Sequence, residues 1–149
     1  MTDKPEFTIR IAREEDASQL VNLCNQLGYP TSASQIKPRL SNILSDGGHQ
    51  VYVAESSDQK LIGWVHVHLY HLFYMDLVAV ICGLVVDEAF RGLGVGKKLM
   101  ENAENWAKGK GCSSVLLRSN KIRKEAHLFY EKIGYQIIKE QYAFRKAFI

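Results

Sequence analysis

The stretch Val85-Val86-Asp87-Glu88-Ala89-Phe90-Arg91-Gly92-Leu93-Gly94-Val95-Gly96-Lys97-Lys98 runs from an apolar segment through three closely spaced glycines into a basic, helix-forming one. Glycines in such a turn let backbone N–H groups approach an anion with no Cβ in the way, and the following helix adds the positive end of its dipole. That combination suits a pyrophosphate. A P-loop would need GxxxxGK followed by Ser or Thr, but Gly96-Lys97 is followed by Lys98, and Arg91 stands where the first Gly belongs. A dinucleotide fingerprint wants its first Gly directly after the strand and a carboxylate about 20 residues further on. Here Asp87 to Arg91 intervene, Lys97 holds the third glycine's place, and Ser113 to Ser119 contains no acid. A nicotinamide-dependent oxidoreductase is therefore disfavoured.

Upstream of the loop, Leu77 to Val86 is a near-continuous apolar run, the pattern of a central strand covered on both faces and too short to cross a membrane. Gln50–Glu55 and Leu61–Tyr70 flank the polar turn Ser56–Lys60 as a hairpin, and Phe7–Ala12 alternates as a first strand. Between them, Ala17, Leu20, Val21, Cys24 and Leu27 recur at helical spacing until Gly28. Ser32 and Gln35 form a capping box for a second helix carrying Ile36, Leu40, Ile43 and Leu44, in which Pro38 predicts an irregular start. Downstream, Val95, Leu99, Ala103, Trp106 and Ala107 make a third helix, and Ser114–Arg118 a strand. Ala126, Phe129, Tyr130 and Ile133 make a fourth helix, and Tyr135–Phe148 one or two closing strands. The fold class is α/β, with a mixed, mostly antiparallel sheet of six to seven strands and about four helices on both faces, in a single domain over residues 1–149.

Composition agrees. The 149 residues are 46% hydrophobic and 23% charged, as in a globular domain rather than a disordered chain. The formal charge of +3 is scattered, without the stripe expected of a nucleic-acid binder. Cys24, Cys82 and Cys112 lie far apart on apolar faces, with no CxxC and no zinc spacing, which points to a reducing compartment. The N-terminus has no apolar signal segment, so a cytoplasmic protein without membrane partners is expected.

Arg91-Gly92-Leu93-Gly94-Val95-Gly96 resembles the [Gln/Arg]-x-x-Gly-x-[Gly/Ala] loop of the GNAT superfamily of acyl-CoA-dependent N-acetyltransferases. The passage LVVDEAF before it is similar to that family, as is Ala126-His127-Leu128-Phe129-Tyr130-Glu131-Lys132-Ile133-Gly134-Tyr135 after it. The opening IRIAREEDASQLVNL, and Val53-Ala54-Glu55 with Ile62-Gly63, extend the resemblance over essentially the whole chain. It implies a GNAT-like fold, acetyl-CoA as co-substrate without a metal, and a CoA site formed by Arg91, Gly92, Leu93, Gly94, Val95, Gly96 and Lys97. It also implies that backbone groups of Leu84, Val85 and Val86 receive the pantetheine arm and polarise the thioester carbonyl. Many members carry Asn three residues before the helical Ala; that position is Arg123 here, with Asn120 nearby, and either could replace it.

The resemblance also makes Tyr130 the candidate acid for the departing thiolate and a CoA contact; core packing beside Phe129 is the competing reading. The central-strand Glu that members use as a base is absent, its places being Cys82 and Val80. Alternation puts Trp64, His66, His68 and Tyr70 on one face, so His66 and His68 become candidate bases, with His71 and Asp76 behind them. No third ligand accompanies the two histidines at metal spacing. Tyr29, Trp64 and Tyr70, with Phe73 and Tyr74, are candidates for an acceptor pocket, for packing, or for the surface of a homodimer. The expected activity is direct acetyl transfer to the primary amine of a small molecule or peptide. The alternative is a non-catalytic acyl-CoA-binding sensor or regulatory module, which the missing glutamate would favour.

Overall fold

A computed structural model describes residues 6–149. The elements are β1 (Phe7–Ile11), α1 (Ala17–Leu27), α2 (Ala33–Leu44), β2 (His49–Ser56), β3 (Leu61–Tyr70), β4 (Val78–Val86), α3 (Val95–Gly109), β5 (Val115–Leu117) and α4 (Lys124–Lys132). They fall into two compact units, one ending at Arg118 and the other spanning Ser119–Ile149, and each is described by itself.

In the first unit the five strands lie in the order β1-β2-β3-β4-β5. The pairs from β1 to β4 are antiparallel, and β5 joins β4 in parallel. The alternation of β3 decides what covers each face. Trp64 packs into an apolar cluster with Leu20, Leu23, Leu40, Val51, Val53 and Val85, which seats α1 and α2. On the other face, a Cβ at Gly63 would meet Leu99 and Val95 of α3, and Val65 and Val67 between them are fully buried. Trp64 is thus held on the α1/α2 side, with His66 and His68 following it by alternation.

The capping box of α2 is present in both directions between Ser32 and Gln35. The irregular start expected from Pro38 is not found: the helix runs unbroken from Ala33. Pro38 lies beyond the first turn and removes one backbone donor, while the box and the apolar face of α2 hold the rest.

The six- to seven-strand expectation is corrected to five strands among the described residues. Residues 136–149 carry β-forming side chains, but they take part in no ladder, and Ile138, Tyr142, Phe144 and Phe148 are exposed. Propensity makes a strand only where a partner edge is supplied. In this second unit α4 has no fully buried residue, so the apolar stripe read from its sequence is only partly buried. Gly134 ends α4 in the left-handed conformation, φ 103°, and the Tyr135 N–H donates back to the Tyr130 carbonyl.

Candidate active site

β4 is regular up to Ile81 and changes at Cys82. Opposite β3, Val67 pairs with Ile81 but His66 pairs with Gly83, so Cys82 is an extra, bulged residue. On the other side, β5 pairs only with Ala79, Val80 and Ile81. From Cys82 to Val86 no strand pairs with that edge among the described residues. The run expected to be covered on both faces is buried without a break only from Val78 to Ile81, with Val85 buried again beyond the bulge, and Cys82 is exposed rather than set on an apolar face. The edge beside Leu84, Val85 and Val86 therefore carries no paired strand, as an added strand-like ligand would require, although the Val86 carbonyl already accepts from Arg91 Nε.

The strand then enters the glycine loop. The Asp87 carboxylate accepts from the Ala89 N–H, and the Asp87 N–H donates to the Ile62 carbonyl, pinning the loop's start to β3. Arg91 folds back so that its Nε donates to the Val86 carbonyl at 3.1 Å, with the residue itself exposed. Gly92 (φ 80°) and Gly94 (φ 86°) take left-handed conformations, and a Cβ at either would meet nothing within 4 Å. Their role is backbone shape beside open space. Gly94 caps α3 without a side-chain acceptor, and the first amide bonded within the helix is that of Lys98, to Gly94. The amides of Val95, Gly96 and Lys97 therefore precede the first intrahelical bond. With no acid in that first turn and Lys97 and Lys98 exposed beside it, the residues present fit a pyrophosphate. The Leu93 side chain lines a cleft with Phe7, Thr8, Glu55, Ser56 and Ser57.

On the α1/α2 face of the sheet lies a group of three histidines. His49 Nδ1 is 2.9 Å from His66 Nε2. The His49 ring stacks on that of His68, with centroids 5.2 Å apart, and His68 meets Tyr70 edge-on. His68 Nδ1 lies 2.7 Å from the Leu69 carbonyl, which can only accept, so Nδ1 carries the proton and Nε2 the lone pair. Burial, and then His49 and His68, push His66 down to about 4, which keeps it neutral at physiological pH. His49 is absent from the sequence-based candidates because the strand was read as starting at Gln50. The register that pairs His49 with His68 is the signal that finds it.

Trp64 lies over Gly83, the register partner of His66. Its indole N–H is buried with no acceptor among the described residues. Tyr29, by contrast, is exposed in the turn after α1, so it and Trp64 belong to different environments. Phe73, Tyr74 and Met75 are also exposed. The thiol of Cys82 is pushed up to about 11 by desolvation, which leaves it un-ionised at neutral pH and a poor nucleophile.

In the second unit the Tyr130 ring sits between those of Phe129 and Tyr135, at 5.3 and 6.1 Å. Burial raises its phenol while the Arg123 charge opposes that, and the net effect is upward, so the hydroxyl stays protonated. Asn120 uses its side-chain oxygen to accept the Ile122 N–H, and its carbonyl accepts from His127 Nε2. Arg123 starts α4 without a side-chain cap and is exposed. Among the described residues the Arg123 side chain makes no hydrogen bond, and its charge acts on Tyr130.

Comparison with known proteins bears on the fold and the family. The chain is 28% identical over 149 residues to the aminoalkylphosphonate N-acetyltransferase of Salmonella typhimurium, covering 96% of this chain and 92% of that one. The structure of glucosamine-6-phosphate N-acetyltransferase from Arabidopsis thaliana superposes with a TM-score of 0.80 at 26% identity, covering 97% and 99% of the two chains. The aminoglycoside N-acetyltransferase AAC(6')-Iy, solved in complex with CoA, shares the fold with a TM-score of 0.85 at 19% identity, covering 98% of each chain. The model of the acetyltransferase (GNAT) family matches residues 14–135, from the turn before α1 to the end of the α4 motif. The chain belongs to the GNAT family of acetyl-CoA-dependent N-acetyltransferases.

Proposed function

We propose that this protein transfers the acetyl group of acetyl-CoA directly to the primary amine of a small-molecule or peptide acceptor, as a cytoplasmic single-domain enzyme. The observation that carries the reading is the open edge of β4 leading into an uncapped helix N-terminus. Acetyl-CoA supplies an activated thioester. Backbone amides from Gly92 to Lys97 take its pyrophosphate, and Arg91, Lys97 and Arg123 supply positive charge. Backbone groups at Leu84, Val85 and Val86 hold the pantetheine arm and polarise the carbonyl.

His66, neutral at physiological pH, receives the proton of the acceptor's ammonium group, and His68 lies beside it with a bare Nε2. Tyr130, held protonated, donates to the leaving thiolate. Trp64 and Tyr70 border the histidines on the acceptor side. An un-ionised Cys82 favours direct transfer over an acetyl-cysteine route. The relatives named above act on an aminoalkylphosphonate, an amino sugar phosphate and aminoglycosides, all of them amines.

The test is a thermal-shift titration with acetyl-CoA, CoA, NAD and NADP, followed by a thiol-release assay. The acceptors would be aminomethylphosphonate, glucosamine 6-phosphate and kanamycin. A ligand at a hundredfold excess over its dissociation constant stabilises by about 2.7 kcal/mol. A rise confined to the CoA species is expected, and no rise with them would overturn the reading.

A further inference from the structure

His66 hydrogen-bonds to His49 through Nε2, so the tautomer of His49 decides which nitrogen of His66 carries the proton. His49 is partly buried, with its Nε2 3.9 Å from the exposed carboxylate of Asp46. A carboxylate on that side favours the His49 proton at Nε2, which leaves Nδ1 as an acceptor. The 2.9 Å contact is then a donation from His66 Nε2–H to His49 Nδ1. His68 takes no part in this bond, because its own proton is committed to the Leu69 carbonyl.

We propose that His49 is the positioning residue of the transfer site: with Asp46 it holds His66 in the Nε2–H tautomer and leaves His66 Nδ1 as the bare lone pair that receives the acceptor's proton. The inference rests on the reading of His66 as the proton acceptor. The proton balance follows from the geometry. A proton arriving at Nδ1 makes the His66 ring a cation, its Nε2 proton passes to His49 Nδ1, and His49 releases its own Nε2 proton toward Asp46 and water. Charge is thereby moved from a ring that holds it poorly to one beside a carboxylate. The titratable groups around His66 are His49 on β2, Asp46 in the turn before it, His68 on β3 and Cys82 in the β4 bulge, and Cys82 stays neutral near physiological pH.

The experiment is long-range 1H–15N NMR of the full chain labelled in its histidine side chains, at pH 7. The expected spectrum shows His66 with a protonated Nε2 and an unprotonated Nδ1. His49→Ala should move both nitrogens toward tautomer-averaged shifts, and His49→Asn, whose Oδ1 can accept in place of Nδ1, should restore the wild-type pattern. Asp46→Asn, at an exposed position, should weaken the preference without unfolding the protein. A protonated His66 Nδ1 in the wild type would overturn the proposal, as would His66 signals indifferent to His49→Ala in a folded variant. Because the readout needs no acceptor, a correct tautomer in a protein that transfers no acetyl group would count against the enzymatic reading alone.

Discussion

The Trp64 indole rests so closely on Gly83 that a Cβ there would lie 2.7 Å from Cη2 and 2.8 Å from Cζ3. A flat ring therefore presses against the strand next to the residue that bulges it, and the absence of a side chain at position 83 makes room for it. Gly83→Ala must displace the indole or the strand. Overpacking of this kind costs about 1–3 kcal/mol. Urea denaturation should show that loss, together with weaker acetyl-CoA binding, because the shift falls beside the open half of β4.

Arg10 is shared by two acids on the first unit. It contacts both oxygens of the buried Asp16 at 2.8 and 2.9 Å, and Glu55 at 2.9 Å. Burial alone would raise Asp16, but the Arg10 hydrogen bonds and the Arg13 N–H outweigh it and hold the carboxyl low. Arg10→Ala leaves that carboxylate buried and short of partners, a loss of about 2–4 kcal/mol at pH 7. A lowered carboxyl contributes stability above its unfolded pKa of about 4, which is lost as pH falls. Denaturation at pH 7 and pH 3 should therefore show a smaller gap between wild type and Arg10→Ala at the acid end.

Gly94 combines a left-handed φ of 86° with the uncapped start of α3. Gly94→Glu puts a Cβ at a strained angle and a negative charge against the amides that would hold a pyrophosphate. The thermal rise with acetyl-CoA should disappear, and the midpoint without ligand should fall by the roughly 1–2 kcal/mol that a left-handed non-glycine residue costs. An unchanged rise would remove the loop from the binding site.

Much of this was legible in residue spacing. The glycine loop, the two-residue alternation of β3 and the Ser32–Gln35 box are local patterns, and the structure holds each where the spacing put it. What escaped depends on contacts between distant segments. The Cys82 bulge follows from the register between β3 and β4, which no single strand encodes. His49 reads as a turn residue until the hairpin pairs it with His68. The expected closing strands are missing for the complementary reason, since alternating apolar residues after Tyr135 describe a segment able to pair but not one that is paired.

Tyr130 lies between two aromatic rings, so a packing role and a proton-donating role must be separated by kinetics. Tyr130→Phe keeps the ring and removes only the hydroxyl. If that hydroxyl protonates the leaving thiolate, kcat should fall by about 10²-fold with little change in acetyl-CoA affinity. An equal, small loss in both would leave Tyr130 as packing.

The histidine group makes its own prediction for stability. His66 is pushed from an ordinary value near 6.5 down to about 4, first by burial and then by the neighbouring imidazoles. Between those values the unfolded chain binds a proton that the folded chain refuses, so folding stability falls as pH drops through that window and levels off below about 4. The full penalty is at most about 3.5 kcal/mol, since one unit corresponds to about 1.4 kcal/mol. His66→Gln removes the titrating ring while keeping a polar side chain beside His49. The wild type should lose stability from pH 7 to pH 4.5 by more than the His66→Gln variant does, with carboxylates such as Asp16 contributing equally to both. Parallel curves would mean that His66 titrates normally in the folded protein, and a base kept neutral by its surroundings would then have to be sought elsewhere on the face.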